Sequence, residues 1–269
     1  IRYDDLLDEA CGAAPSAGSS PDDMPAWARE PHPHVEGFRR WPQVLVEGRG
    51  MDPGTTEATR DDLAILPFTS GTTGLPKGCM HPHRTVMHNV KAAVGWSGYD
   101  TETVSLSVLP LYHVAGMLAG MHTPFSQAAT VVMLPRWNRE LAAALIARHR
   151  VSYWSCITTM MIDFLDSPQF ASYDLSSVRT IGGGGAPMPA AVAERLMQRT
   201  GLTYMEGYGL TETMGATHRN PRHRPKLQCL GIPFTGTDAR IIDPDTGREL
   251  ADEEVGEIVA HGPQVFDGY

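Results

Sequence analysis

Residues 63–78 read LAILPFTSGTTGLPKG, a short apolar run opening into a turn crowded with hydroxyls and glycines and closed by a lysine. The run 63–68 has the composition of a strand, and the periodicity from about Thr85 predicts a helix, so the turn is expected between a strand and a helix. Open α/β sheets bind their ligands at such places, beyond the C-terminal ends of the strands. Gly71 and Gly74 let the backbone approach an anion closely, and the hydroxyls of Thr69, Ser70, Thr72 and Thr73 and the ammonium of Lys77 are donors for phosphate oxygens. The turn is not a Walker-type loop, which needs Gly, four residues, then Gly-Lys-Ser/Thr; counted from Gly71, Pro76 stands where the second Gly belongs. On composition alone, a ligand-free surface loop remains the competing reading.

Outward from this turn, short β-branched or apolar runs alternate with helical periods. Residues 103–109, 130–134, 151–157, 178–181 and 203–206 read as strands. Between the second and third, 138–150 reads as a helix, capped by Asn138 and striped by Leu141, Ala144, Leu145 and Arg148. Another helix is expected over 189–200, terminated by Gly201. Strands separated by helices pair in parallel through crossovers, so the fold class is α/β, a doubly wound and mostly parallel sheet. Beyond Gly231 the alternation stops. Residues 239–242, the turn Asp243-Pro244-Asp245-Thr246-Gly247 and 256–260 predict antiparallel structure, the start of a β-rich subdomain. The expected division is a loop-rich lead-in over 1–60, an α/β subdomain over 61–233 and the beginning of the β-rich subdomain over 234–269.

Composition narrows the partners. Asp and Glu number 31 against 22 Lys and Arg, a net charge of -9, which repels a phosphate backbone and argues against nucleic acid. Cys11, Cys79, Cys156 and Cys229 show no CxxC spacing, so neither a disulfide framework nor a zinc knuckle is expected; reduced thiols suit the cytoplasm. The His-Pro-His triplets at 32–34 and 81–83 lack Cys or carboxylate company at zinc-site spacing. No apolar run approaches the ~20 residues of a membrane span, and no cationic and apolar leader is expected at Ile1.

Four further segments carry chemistry. LPLYHVAG, 109–116, sets His113 among apolar neighbours, where a hydrogen-bonded core histidine is the plain reading. GGGGAPMP, 182–189, places Gly184, Gly185, Ala186 and Pro187 between a strand and a helix, where backbone can pass close to a flat ligand. YMEGYGLTET, 204–213, gathers Gly207, Tyr208, Gly209, Thr211 and Glu212; taken alone, Tyr208 passes for a core aromatic and Glu212 for a solvated charge. GEIVAHGPQVFDGY closes the chain.

Together with TSGTTGLPKG at 69–78, these segments resemble, in the correct order, the AMP-forming acyl-CoA synthetases, luciferases and peptide-synthetase adenylation domains. The resemblance covers residues from about 61 to 269. It implies that 69–78 holds the phosphates of ATP, that LPLYHVAG lines an acyl pocket around His113, and that 184–187 border adenine. Tyr208, flanked by Gly207 and Gly209, would stack on adenine, Thr211 would bind phosphate, and Glu212 with Thr69 would hold Mg²⁺. Lys77, Thr211, Glu212 and His113 form the implied catalytic set.

For a complete enzyme the implied reaction has two steps: a carboxylic acid attacks the α-phosphate of ATP to give acyl-AMP and pyrophosphate, then the thiol of CoA displaces AMP. The run GCMHPHRTVMHN, 78–89, and GGGGAPMP most resemble fatty-acyl ligases. Two alternatives stay open, an adenylating enzyme that hands its acyl group to a carrier protein and a catalytically incomplete nucleotide-binding piece. The family's ribose-binding aspartate, hinge, mobile C-terminal domain with its lysine, and N-terminal half of the sheet have no counterpart in these 269 residues, which suggests part of a longer protein. The basic run 219–226 could meet CoA phosphates or lie solvated, and oligomeric state is left open.

Overall fold

The computed structural model describes residues 47–52, 54–55, 57–69 and 74–269. Most of the expected lead-in lies outside these residues, as do Ser70, Gly71, Thr72 and Thr73 of the phosphate turn. Residues Arg2–Ala58 cluster as one unit, whose described residues are exposed, and Thr59–Tyr269 as another. The second unit is described below.

It opens with four very short strands, β1 (Leu63–Ile65), β2 (Phe68–Thr69), β3 (Lys77–Gly78) and β4 (His81–Pro82). β1 pairs antiparallel with β4, and β2 antiparallel with β3. This corrects the expectation drawn from residues 63–68. They are not one strand of the main sheet, and the phosphate turn spans a hairpin whose ends are Thr69 and Lys77. Pro67, which has no N–H to donate to a ladder, breaks the run. Helix α1 (His83–Ser97) follows and ends at Gly98 in the left-handed region.

The main sheet has seven strands. β5 (Val104–Ser107), β6 (Thr130–Met133), β7 (Tyr153–Ser155), β8 (Thr180–Gly183) and β9 (Tyr204–Leu210) pair in parallel in the order β6-β5-β7-β8-β9. The doubly wound α/β expectation holds: the chain steps from β5 outward to β6, then returns across β5 to β7 and proceeds the other way. β10 (Gly215–Arg219) and β11 (Ile232–Pro233) extend the β9 edge antiparallel. These two strands escaped the sequence reading, because a glycine start and a proline end mask their pattern.

Between β5 and β6 the chain forms α2 (Val114–Met117), a π-helical turn (Leu118–His122) and α3 (Thr123–Ser126). α4 (Arg139–His149) is the helix expected from Asn138, whose side chain accepts the Leu141 N–H at 2.9 Å. α5 (Thr158–Leu165), not foreseen, leads to β8, and α6 (Ala190–Thr200) leads to β9 and stops at Gly201 as expected. β12 (Asp238–Ile242) and β13 (Glu257–His261) form a separate antiparallel pair around the turn that begins at Asp243. Among the described residues no helix is long and apolar enough to cross a membrane.

Successive residues of a strand point to opposite faces, and β7 shows what covers each. Trp154, fully buried, meets Phe164 of α5 edge-on at 4.9 Å and stacks on Trp137 at 5.8 Å. Tyr153 faces the other way and packs on Tyr99 at 4.4 Å, its hydroxyl donating to Ser97 at the end of α1. On the α1 side, Val86, Val90 and Ala93 close over Val114, Leu118 and Met214. The rigid frame that carries the loops is thus buried on both faces.

Candidate functional site

The C-terminal ends of β5, β7, β8 and β9 share one edge, and strand order reverses at β5 and β7, where sheets of this kind bind ligands. The loops leaving this edge contain LPLYHVAG, GGGGAPMP and the end of YMEGYGLTET.

The end of β8 and the turn after it are held against the end of β7 and against β9 by contact between backbones. A Cβ on Gly183 would fall 1.9 Å from the Cys156 carbonyl oxygen, and one on Gly184 would fall 2.4 Å from that of Gly207. Gly185 takes φ +87°, which side chains rarely adopt. The buried carboxylate of Glu206 accepts the Met188 N–H at 2.8 Å, and the Thr158 hydroxyl reaches the Ala186 and Pro187 carbonyls, each at 3.3 Å. Glu206 was not singled out in the sequence, where it reads as one more residue of a strand. Tyr208 is half-buried, its ring edge-on to His218 at 5.9 Å. It is not a core aromatic. At Gly209 a Cβ would lie 1.9 Å from the Gly215 oxygen, so only glycine admits the bend from β9 to β10.

Lys77 and Glu212 meet at a third residue. The Lys77 ammonium lies 4.8 Å from the centre of the Tyr269 ring, and the Tyr269 hydroxyl donates to Glu212 Oε1 at 2.7 Å. That hydrogen bond pushes the Tyr269 phenol up to about 12. Residues 266–269 are strapped in place. Phe266 N–H donates to the Glu212 carbonyl and Asp267 N–H to the Met80 carbonyl, both at 2.9 Å, while Met80 N–H donates to the Gly268 carbonyl at 2.9 Å. Arg84 pairs with Asp267 and with Asp61. Sequence reasoning assigned this terminal segment no site residue. Its Phe-Asp-Gly-Tyr ending, with two aromatics and a carboxylate, was the available signal.

Behind Glu212 sits Cys79, fully buried; burial, and then the nearby Glu212 charge, push its thiol up to about 11, which removes it as a nucleophile at neutral pH. His81 is also fully buried, Nδ1 2.9 Å from the Thr85 hydroxyl and Nε2 2.7 Å from the Thr211 carbonyl. Burial is the largest influence on its ring and lowers its pKa, with the Thr211 carbonyl, Asp267 and Glu212 pulling the other way. Asn89, two turns further along α1, donates to the Thr213 and Met214 carbonyls at 2.8 and 3.0 Å.

His113 is not a core histidine. It is exposed beside Tyr112, and its Nδ1 accepts the Ala115 N–H at 3.1 Å as the N-cap of α2. It stands at the same sheet edge, with no contact to Lys77 or Glu212 among the described residues. Arg219, from the basic run, is turned inward to Ser97 and Tyr153. A cavity of about 620 Å³, lined in part by His88, Lys91, Trp96, Arg222 and His223, shares no residue with the Lys77–Glu212 cluster.

The oxygen donors present suit a hard cation. Thr69, paired with Lys77 across the hairpin, offers a hydroxyl, and among the described residues the second carboxylate oxygen of Glu212 has no hydrogen-bond partner. Among the described residues no group of three His, Cys, Asp or Glu side chains could cage a metal unaided. Magnesium does not need such a cage, since it is ordinarily held by one or two carboxylates together with substrate phosphates.

Known proteins resemble this chain over most of its length. The AMP-binding enzyme family matches residues 9–269. The long-chain-fatty-acid–CoA ligase of Bacillus subtilis (strain 168) is 34% identical over 214 residues, 77% of this chain and 38% of that protein. A probable 4-coumarate–CoA ligase of Dictyostelium discoideum is 33% identical over 230 residues, 84% of this chain and 42% of that one. The crystal structure of ATP-bound MatB from Rhodopseudomonas palustris superposes with a TM-score of 0.79 at 29% identity, over 84% of this chain and 45% of that one. The chain therefore spans about two fifths of the length of the curated relatives it matches. By profile, identity and fold, it belongs to the AMP-binding enzyme family, that of the AMP-forming acyl-CoA synthetases.

Proposed function

We propose that the whole protein is an ATP-dependent acid–thiol ligase that activates a hydrophobic carboxylic acid, a fatty acid in the first instance, as acyl-AMP and passes the acyl group to CoA. The observation that carries this reading is the approach of Lys77 to the ring face and of Glu212 to the hydroxyl of one tyrosine, at the sheet edge where the glycine turn and Tyr208 also lie. A cation and a carboxylate held together there, beside a half-buried aromatic and backbone without side chains, match the needs of a triphosphate, its divalent cation and a flat base.

In this reading the hydroxyls of the 69–73 turn, Lys77 and Thr211 bind phosphate oxygens and orient the α-phosphate for the incoming carboxylate. Glu212 and Thr69 hold Mg²⁺, which supplies charge neutralisation when bound. Residues 184–187 and 207–209 enclose adenine, with Tyr208 stacked on it. His113 stands at the mouth of β5, where the acid enters. A fatty or aromatic acid is supported by relatives named for long-chain fatty acids and for 4-coumarate.

The test is ATP–pyrophosphate exchange by the intact protein with a panel of fatty, hydroxycinnamic and amino acids. Exchange driven by fatty acids is expected, with release of acyl-CoA when CoA is added. Exchange driven by amino acids alone overturns the substrate reading, and acyl transfer to a carrier protein in place of CoA overturns the second step. Lys77→Ala should raise the KM for ATP about tenfold or more, since it removes a charge-assisted phosphate contact. Residues 1–269 alone should bind Mg·ATP weakly and form no thioester.

A further inference from the structure

His81 belongs to a His-Pro-His triplet that no part of the proposed reaction uses, yet its position is among the most constrained in the molecule. It sits on β4 just before α1, and the bond from Nε2 joins two residues 130 positions apart. The Thr211 carbonyl can only accept, so Nε2 carries the proton and donates. In the neutral ring Nδ1 must then accept, and the donor is the fully buried Thr85 hydroxyl. The same hydroxyl also donates toward the Pro82 carbonyl at 3.0 Å, so its one proton is shared between these two acceptors. The Thr211 carbonyl selects the tautomer, and the Thr85 hydroxyl supports it from the Nδ1 side of the ring.

His81 and Asn89 both reach the turn 211–214, and Thr85, between them in sequence, reaches His81. Asn89 holds the carbonyls of Thr213 and Met214, while His81 holds that of Thr211. With its backbone tied in this way, Thr211 keeps its hydroxyl without a protein partner among the described residues, and Glu212 projects toward Tyr269. The His81 ring also lies 6.2 Å from Phe266, whose N–H holds the Glu212 carbonyl.

We infer that His81 is a positioning residue for nucleotide chemistry: by donating to the Thr211 carbonyl it fixes the turn bearing Thr211 and Glu212 against the hairpin bearing Lys77, with Thr85 supporting the donating tautomer. The inference rests on the functional reading above. It goes beyond that reading by assigning the alignment of the two phosphate-binding segments to a side chain that touches neither phosphate nor metal.

The experiment uses the intact protein and measures kcat and KM in pyrophosphate exchange, with folding checked by near-UV circular dichroism. His81→Leu, which fills the space without a donor, is expected to lower kcat at least tenfold while the KM for the acid stays within twofold. His81→Gln places an amide donor near the Nε2 position and should restore kcat to within threefold of the parent. Thr85→Val, which keeps His81 but removes its orienting hydroxyl, should lower kcat three- to tenfold, and Thr85→Ser should not. If His81→Leu does not fold, Thr85→Val and His81→Gln decide the matter. A Thr85→Val protein with unchanged kcat, or a folded His81→Gln protein as impaired as a protein lacking any donor, overturns the inference. A parent protein with no exchange activity would instead overturn the functional reading.

Discussion

The two sides of the site edge are assembled by opposite means. On the adenine side, β8 meets β9 and β9 meets β10 through glycines packed against carbonyl oxygens, with Glu206 and Thr158 bonded only to the backbone of the turn beyond. On the phosphate side, the turn 211–214 is held by a ladder of buried polar side chains, His81 and Asn89, reaching its carbonyls from outside. A seam of backbones is rigid because it has no free volume, and any added atom must displace a strand. A ladder of side chains sets geometry by hydrogen bonds that can be exchanged one at a time, so graded changes are possible there. Shape is therefore fixed where a flat ligand is proposed to slide in, and alignment is adjustable where charge is proposed to develop.

The hardest strain on this contrast is Gly209→Ala. Its Cβ would sit 1.9 Å from the Gly215 oxygen, and the nearest atoms, from Gly215 and Ala216, are all backbone, with no flexible side chain to yield. The expected loss is about 3 kcal/mol of stability, read from the midpoint of chemical denaturation. A loss below about 0.5 kcal/mol would mean that the seam can open and that the contrast with the ladder is overstated. Next comes Asn89→Leu. It preserves volume but leaves the Thr213 and Met214 carbonyls without this donor, and about 2 kcal/mol should be lost with the seam undisturbed.

The smallest effect is a pH dependence on the ladder side. Burial lowers the pKa of His81, and likewise of His122 and His218, so in the fold these rings resist protonation. Unfolded rings titrate near the ordinary histidine value of about 6.5. Between that value and the lower folded ones the unfolded chain binds more protons, so stability is full above pH ~6.5 and declines as pH falls. Carboxylates held low by hydrogen bonds, such as Asp62 and Asp243, act only further down, near the ordinary carboxylate range of about 4. Comparing denaturation midpoints at pH ~7.5 and ~5.5 isolates the histidines, and His81→Gln should reduce the slope. An unchanged slope in that variant would show that the ring is not the buried neutral donor described.

Much of this architecture was legible from local pattern. The alternation that yields β5 to β9 lies in runs of β-branched residues, and the start of α4 was signalled by Asn138, because such signals act within a few positions along the chain. The hairpin around the phosphate turn was not legible, since two residues on either side of Pro67 carry no periodicity. β10 and β11 were hidden because a glycine opens the first and a proline closes the second. The exposure of His113 was missed because its apolar neighbours say nothing about which way a capping ring turns. Tyr269 and His81 were missed because their partners are remote in sequence.

By itself the order of residues determined the chemistry that can be offered: a hydroxyl-rich turn with a lysine, two glycine-rich turns, and a tyrosine, threonine and glutamate at fixed spacing, each a property of a few consecutive residues. Only the tertiary structure decided which of these come together. Lys77 reaches Glu212 through Tyr269, and His81 reaches Thr211 across 130 residues, by way of strand order and helix packing. The physical reason is that hydrogen bonding and burial depend on distance in space, and across a doubly wound sheet that distance is set by the sum of all the packing contacts, which no short window of sequence contains.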